Sequence, residues 1–200
     1  SAEEYGALAG ELRGRGFRPS DLSGEHADEV MGSCSDLIDP ERLRALMRRA
    51  SRAEAAAAAW ESEGVWFLTR ADRRYPKNLK ARLREDAPPV LWGLGSLEIA
   101  GSGGLAIAGK PESDPLAEEQ GLRHGELAAY AGISVIATGR AGAEAAALRG
   151  ALKKKGVVCQ APGRPLEAFL GNAAWQRLID AGRLALVSPY APDAPASAIS

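Results

Sequence analysis

The chain has 200 residues, of which 25 are Lys or Arg and 26 are Asp or Glu, so its formal net charge is −1. This near balance excludes a generally basic nucleic-acid-binding protein, and any contact with nucleic acid must rest on a local patch. The length permits one medium domain or two small ones. Cys34 and Cys159 lack the spacing of metal ligands, and there is no signal peptide or long apolar span, which favours a reducing cytoplasm and no membrane partner.

Residues 1–63 are predicted to form a separate helical N-terminal region. Segments 3–15 and 40–63 are rich in residues that favour helix, whereas Gly, Pro and Ser interrupt the stretch between them. In the second segment an apolar face repeats at helical spacing, at Leu43, Leu46, Met47, Ala50 and Ala53. The rest of that helix carries five arginines, namely Arg42, Arg44, Arg48, Arg49 and Arg52. They either contact phosphate or form a solvated face, and the solvated face is the commoner case.

Residues 64–103 are predicted to lead into a second domain. Segment 65–69 is typical of a strand, and the prolines at the start of 88–93 favour a second extended piece. Between them, segment 70–84 contains many cations and an interleaved Tyr75, a composition that suits a phosphate backbone. The alternative is an amphipathic turn and helix that buries Leu79 and Leu83, and the sequence leaves both open.

Residues 104–200 alternate between short apolar runs and helical segments. The runs are 105–108, 133–137, 157–159 and 184–187, and glycines bound most of them. The helices are predicted at 115–130, 143–155 and 165–181, the first starting from Asp114 as N-cap with Pro115 next and the last burying Trp175. This alternation predicts an α/β fold, with a Rossmann-like, mostly parallel sheet and flanking helices.

Two turns are predicted at the carboxyl ends of the first two of these strands, where a sheet of this kind binds its ligands. Gly109 and Lys110 begin a polar turn that runs to Asp114, and the other turn spans residues 138–142. Each contains glycine and a cation next to a helix start, so anions are the expected ligands. Glu112, Asp114 and Glu144 lie in first helical turns, where acids favour the helix dipole. No pattern of a zinc site, a P-loop or a serpentine nucleophile elbow is present, so neither metal nor cofactor is expected.

Several ordered segments between Val65 and Pro192 resemble the DNA-processing protein A family, also called DprA or Smf. In the lead-in the matching positions are Asp72, Tyr75, Pro76, Leu79 and residues 88–93, followed by 106–110. Residues 138–152 are similar to the family's Ser-Gly-x-Ala-x-Gly-Ile-Asp motif and the x-x-Ala-His-x-Gly-Ala-Leu motif after it. Further matches are Asn172, Leu178, Gly182 and residues 186–188.

The resemblance implies a protein that binds single-stranded DNA in DNA uptake, natural transformation and recombination. Family members look like homodimers that protect single strands and help to load the recombinase RecA, without catalysis. Carried over onto this chain, the DNA- or phosphate-binding positions are Gly109, Lys110, Thr138, Gly139, Arg140 and Gly142. Backbone N–H groups of the two turns and the Thr138 hydroxyl are expected to hold phosphate oxygens, while Lys110 and Arg140 supply charge.

The sequence departs from the family pattern at several of these positions. The second motif is one residue short, so that Gly142 alone stands for the family's Arg-Gly pair. Glu144 replaces Asp, Leu148 replaces His, and Pro189 follows Ser188 where the family usually has Glu. The family continues beyond the position of Ser200, so we expect residues 64–200 to be an incomplete DprA-like domain, with 64–103 as its lead-in and 104–200 as its βα core.

A second function is considered because related Rossmann-like proteins include nucleotide-binding sensors and phosphoribohydrolases that look like enzymes on nucleoside monophosphates. Their mark is Pro-Gly-Gly-x-Gly-Thr with a following Glu, and this chain has only Pro162-Gly163. A third interpretation is a structural domain whose binding site has decayed.

Overall fold

The computed structural model describes residues 2–23, 27–36, 38–110 and 114–199, and the chain divides into two compact units. The first unit contains the residues before Trp60 together with Leu83–Ala87. The second contains Trp60–Arg82 and the residues from Pro88 onward. The polar turn predicted at 110–114 lies partly outside the described residues, because 111–113 are not among them.

Helices dominate the first unit, as predicted. They are α1 (Ala2–Gly14), α2 (Ala27–Ser33), α3 (Pro40–Met47) and α4 (Ala50–Ser62), with 3-10 turns at Pro19–Ser23 and Arg84–Asp86. A small apolar core joins the first three, built on Leu12, Leu22, Val30, Met31, Cys34 and Leu43.

The single helix predicted over 40–63 is wrong, because the chain breaks it between Met47 and Ala50. The Arg49 amide donates to the Leu46 carbonyl three residues back, at 3.0 Å, and this tight turn ends α3 before α4 begins. Leu43 is buried, but Leu46, predicted on the same packed face, is 45% exposed. The five arginines of this region are exposed, as expected of a solvated face.

A six-stranded sheet forms the centre of the second unit, in the order β1-β2-β6-β5-β4-β3. Its strands are β1 (Val65–Thr69), β2 (Val90–Gly95), β3 (Leu105–Ala106), β4 (Val135–Ala137), β5 (Val158–Gln160) and β6 (Leu184–Ser188). Strands β3 to β6 are parallel, whereas β2 is antiparallel to both β1 and β6. The predicted α/β class with a Rossmann-like, mostly parallel sheet is confirmed.

The parallel strands are shorter than the apolar runs suggested. Strand β3 was predicted to reach Ala108 but ends at Ala106, and β4 begins at Val135 rather than at residue 133. Beyond β3, the Ile107 amide still donates to the Ile136 carbonyl at 2.9 Å, and the chain then turns away towards the start of a helix. Strand β5 extends one residue further than predicted, to Gln160.

Two helices cover the parallel strands and pack closely against each other. Helix α7 (Pro115–Tyr130) follows β3, after α5 (Lys77–Leu83) and α6 (Leu97–Ser102), and α8 (Ala143–Lys153) follows β4. The start of α7 is as predicted, since the Asp114 carboxylate accepts from the Leu116 amide at 3.0 Å. Helix α8 ends before the predicted residue 155, because Lys155 adopts a left-handed conformation (φ 59°) and the Gly156 amide returns to the Ala151 carbonyl.

The last predicted helix, 165–181, is two segments. A 3-10 turn at Leu166–Phe169 is followed by α9 (Ala173–Asp180), and α10 (Ala196–Ile199) lies beyond β6. Gly171 between them has a φ of 69°, and the Asn172 side chain accepts from the amides of Ala174 and Trp175 as an N-cap. Trp175 is half-buried rather than fully buried, because it packs on one side against the apolar core beside the sheet and lines a cleft on the other.

Candidate functional site

The turn between β4 and α8 is shaped by two glycines with left-handed backbone. Gly139 has a φ of 81° and Gly142 a φ of 93°, a conformation that costs other residues free energy. Gly142 is the N-cap of α8 and has no side chain to accept from the first helical amides. The first turn of α8 therefore relies on another group for its position.

That group is the carboxylate of Glu144, which is only 2% exposed. It accepts from the Gly109 amide at 3.2 Å, from the Thr138 amide at 3.0 Å and from the Thr138 hydroxyl. Arg140 places a guanidinium nitrogen 3.6 Å from the same carboxylate. Glu144 thus joins the ends of β3 and β4 to the start of α8.

The hydrogen bonds decide the charge state of Glu144. Burial by itself raises the pKa of this carboxyl, but the donors from Thr138 and Gly109, with the charge of Arg140, hold the pKa below its ordinary value. Glu144 is therefore an anion at neutral pH, bound by groups of its own chain.

This arrangement changes the roles predicted for two site residues. The Gly109 amide and the Thr138 hydroxyl were expected to hold phosphate oxygens, yet here both donate to Glu144. Glu144 lies in the first turn of α8, as expected of an acid at a helix start, but it also occupies the anion-binding donors of both turns. The sequence gave no sign of these contacts, because Glu144 lies 35 residues from Gly109.

A cleft of about 520 Å³ opens beside this turn, at the carboxyl ends of β4 and β5. Three predicted site residues line it: Thr138, Gly139 and Arg140. Gly109, Lys110 and Gly142 are not among its lining residues, although Lys110 is exposed on the neighbouring turn. The structure therefore brings one predicted turn to the cleft and leaves the other beside it.

Residues that sequence reasoning missed complete the lining. They are Ala145, Leu148, Arg149, Leu152, Gln160, Pro162, Gly163, Arg164 and Trp175. Arg149 and Arg140 have side chains 62% and 54% exposed and lie at 3.8 and 3.6 Å from Glu118 and Glu144. Arg164 stacks its guanidinium over the Phe169 ring, 4.3 Å from the ring centroid. The polar Gln160 at the end of an apolar strand was a signal that could have been used.

The basic segment after β1 is built on buried apolar side chains. Tyr75 is 3% exposed, and its hydroxyl donates to the Pro88 carbonyl at 2.8 Å, so its ring is not available to stack on a base. Leu79 packs against the same cluster, as the amphipathic alternative predicted. Leu83, expected to be buried with it, is 39% exposed.

Two searches of the described residues found nothing. Within those ranges, no group of His, Cys, Asp and Glu side chains is placed to hold a metal ion. None of the helices described is both long and apolar enough to cross a bilayer.

Comparisons with known proteins agree with the resemblance carried by the motifs. The sequence model of the family described as DNA recombination-mediator protein A matches residues 66–199, whereas no curated protein matches. The crystal structure of DNA processing protein A (DprA) from Streptococcus pneumoniae aligns with a TM-score of 0.58 and 20% identity. That alignment covers 83% of this chain and 58% of the pneumococcal chain.

DNA processing protein A from Helicobacter pylori, whose structure was described for its single-stranded DNA binding mode, is also similar. It aligns at a TM-score of 0.45 and 20% identity, over 64% of this chain and 57% of that one. The chain thus spans somewhat more than half the length of either protein. The pneumococcal alignment shows a shared fold, and since the family's sequence model matches well over half of the residues, the chain belongs to the DNA recombination-mediator protein A family.

Proposed function

We propose that this chain binds single-stranded DNA as part of DNA uptake and recombination, protecting the strand and helping to load a RecA-type recombinase, without catalysis. Membership of the DNA recombination-mediator protein A family supports the DNA-processing role. The single-stranded form is what the resemblance of the motif residues implies.

The observation that carries the proposal is a local group of cations in a protein of nearly neutral charge. Arg140, Arg149 and Arg164 line one cleft at the carboxyl edge of the sheet, and Lys110 is exposed on the adjacent turn. Guanidinium groups donate several hydrogen bonds and suit phosphate oxygens. The local charge needed for contact with a phosphate backbone is therefore present, although the net charge of the chain is −1.

The remaining predicted site residues act, in this proposal, by shaping the turns. Gly139 and Gly142 permit the left-handed backbone that brings Arg140 to the cleft. Gly109 and Thr138 are held by Glu144, which fixes the strand ends relative to α8. Phosphate contact then falls mainly on Lys110 and the three arginines.

The test is a fluorescence-anisotropy titration of a labelled single-stranded oligonucleotide at two salt concentrations. Lys110→Ala with Arg140→Ala, and separately Arg149→Ala with Arg164→Ala, should each weaken binding at low salt by at least about tenfold, because each pair removes two charge-assisted contacts. Binding should also weaken as salt rises.

A matched control removes two cations at the other end of α8. Lys153 contacts Glu126 at 3.0 Å and Lys154 lies over the Tyr130 ring, so Lys153→Ala with Lys154→Ala changes the net charge equally but away from the cleft. The control should bind nearly as well as the unmodified protein. Equal loss in the control would show a general charge effect, and no binding by the folded, unmodified protein would refute DNA binding by this chain.

The proposed partners are a RecA-type recombinase and a second copy of the chain. Loading is tested by measuring whether the protein shortens the lag before RecA assembles on DNA that is already coated by a single-strand-binding protein. Homodimer formation is tested by light scattering across a concentration series.

A further inference from the structure

Gln160 holds an unused hydrogen-bond acceptor inside the protein. The residue is 7% exposed, and its Nε2 donates to the Thr138 carbonyl at 2.9 Å. Its Oε1 has no hydrogen-bond partner, the one buried side-chain oxygen or nitrogen of the described residues in that condition. A buried acceptor without a donor costs free energy, so its presence in the lining of a cleft calls for a ligand that donates.

The chain makes room for this amide. A Cβ atom at position 139 would lie 2.2 Å from Gln160 Nε2 and 3.3 Å from Leu148 Cδ1, so only glycine allows the amide to sit there. The hydrogen bond to Thr138 then holds the amide across the ends of β4 and β5. The unpaired oxygen therefore belongs to a built arrangement and not to a mobile surface side chain.

The same cleft offers an aromatic surface and cations. Trp175 is half-buried and lines the cleft, with its ring edge-on to Phe169 at 5.3 Å between centroids. Leu148 and Leu152 add apolar lining, and Arg140, Arg149 and Arg164 supply positive charge. A ring to stack on, an acceptor for an N–H group and cations for phosphate are the three features that one nucleotide requires.

We propose that one unpaired DNA base enters this cleft, stacks on Trp175 and donates an N–H of its Watson–Crick edge to Gln160 Oε1, while neighbouring phosphates contact the arginines. The inference rests on the proposed function and adds how the site recognises a single strand. In a duplex the bases are stacked on each other and their Watson–Crick N–H groups are already paired. The cleft would thus select single strands by a free base, without choosing among the bases, since each carries an N–H on that edge.

The first experiment needs no variant. Oligo(dT) and an abasic strand of the same length and charge are titrated into the unmodified protein at the same salt concentration. We expect the abasic strand to bind at least about fivefold more weakly, because stacking of a base on an aromatic side chain is lost. Equal binding of the two strands would overturn the inference and leave DNA binding intact, whereas binding of neither strand would refute the proposed function as well.

The second experiment isolates Gln160. An oligonucleotide of N3-methylthymine keeps the ring but has no N–H to donate, so the unmodified protein should bind it more weakly than oligo(dT). Gln160→Leu should weaken oligo(dT) binding and abolish the difference between the two strands. A difference of unchanged size in Gln160→Leu would overturn the role of this oxygen.

Variants of Trp175 provide the matching set for stacking. Trp175→Ala should lower oligo(dT) binding towards the level of the abasic strand, and Trp175→Phe should retain most of the preference. Gln176→Leu is the control for the loss of an amide, because Gln176 is exposed, pairs with Asp180 and does not line the cleft. Its binding of all three strands should match that of the unmodified protein.

Discussion

At the carboxyl edge of the sheet, the Glu144 carboxylate holds two strand ends and a helix start together. Replacing it by glutamine keeps the size of the side chain but removes the negative charge and one of its two acceptor oxygens. We expect Glu144→Gln to lower the free energy of unfolding at pH 7 by about 1–3 kcal/mol, because donors from Gly109 and Thr138 lose their partner. Urea denaturation followed by circular dichroism measures this change.

The control is the same substitution at an exposed ion pair. Glu118 lies 3.8 Å from Arg149 on the surface, so Glu118→Gln should change the free energy of unfolding by less than about 1 kcal/mol. Similar losses for the two variants would contradict the structural role of Glu144.

The same carboxylate makes stability depend on pH in one direction. Folding lowers the pKa of Glu144 below its ordinary value of 4.5, so its contribution is complete above that pH and is lost as the pH falls through the folded-state pKa. The difference in stability between the unmodified protein and Glu144→Gln should therefore shrink in acid. Urea denaturation of both proteins at a series of pH values below 4.5 measures it, and a constant difference would contradict the prediction.

Cys159 provides a test of burial at the level of one side chain. Burial raises the pKa of this thiol to about 11, and Cys34 is also buried. Because the thiolate is the reactive form, we expect neither cysteine of the native protein to react readily with a disulfide reagent at pH 8. Both should react at once in urea, and rapid labelling of the folded protein would contradict the burial of these residues.

At the scale of the elements, the contact between α7 and α8 depends on glycine. A Cβ at Gly125 would lie 2.0 Å from the Ala147 carbonyl oxygen, and one at Gly121 would lie 2.3 Å from that of Ala143. We expect Gly125→Ala to destabilise the protein by about 1–3 kcal/mol, since the two helices must move apart. Thermal denaturation measures this effect.

Gly101 in α6 is the matched control, because a Cβ there would meet nothing within 4 Å. Gly101→Ala should be neutral or stabilising by up to about 1 kcal/mol, as alanine favours helix over glycine. If both variants were neutral, the close approach of α7 and α8 would not be a source of stability.

At the scale of the whole molecule, the net charge of −1 and the local cations make different predictions for binding to DNA. Three phosphate contacts by Arg140, Arg149 and Arg164 should give a slope of about −2 in a plot of log affinity against log salt concentration for single-stranded DNA. Removing one of these arginines should reduce the slope by about 0.7. Anisotropy titrations across a salt series measure the slope, and a slope near zero would exclude phosphate contacts.

Much of the fold followed from local patterns in the sequence. The apolar runs and the Asp114-Pro115 helix start predicted the order of strands and helices after residue 104, and the structure confirms that order. The boundaries were less accurate: β3 is shorter than its apolar run, and the helices predicted at 40–63 and 165–181 are each broken. These ends depend on capping contacts and on turns such as Gly171-Asn172, which compete locally with helix.

The composition of the site was predicted only in part, for a physical reason. The sequence by itself determined which turns carry glycine and cations, and its ordered motifs determined the family, because these are properties of neighbouring residues. Only the tertiary structure decided that Glu144 takes the donors of Gly109 and Thr138, and that Gln160, Arg164 and Trp175 share a cleft with Arg140. Those contacts join segments far apart in the chain, and the order and register of the strands bring them together.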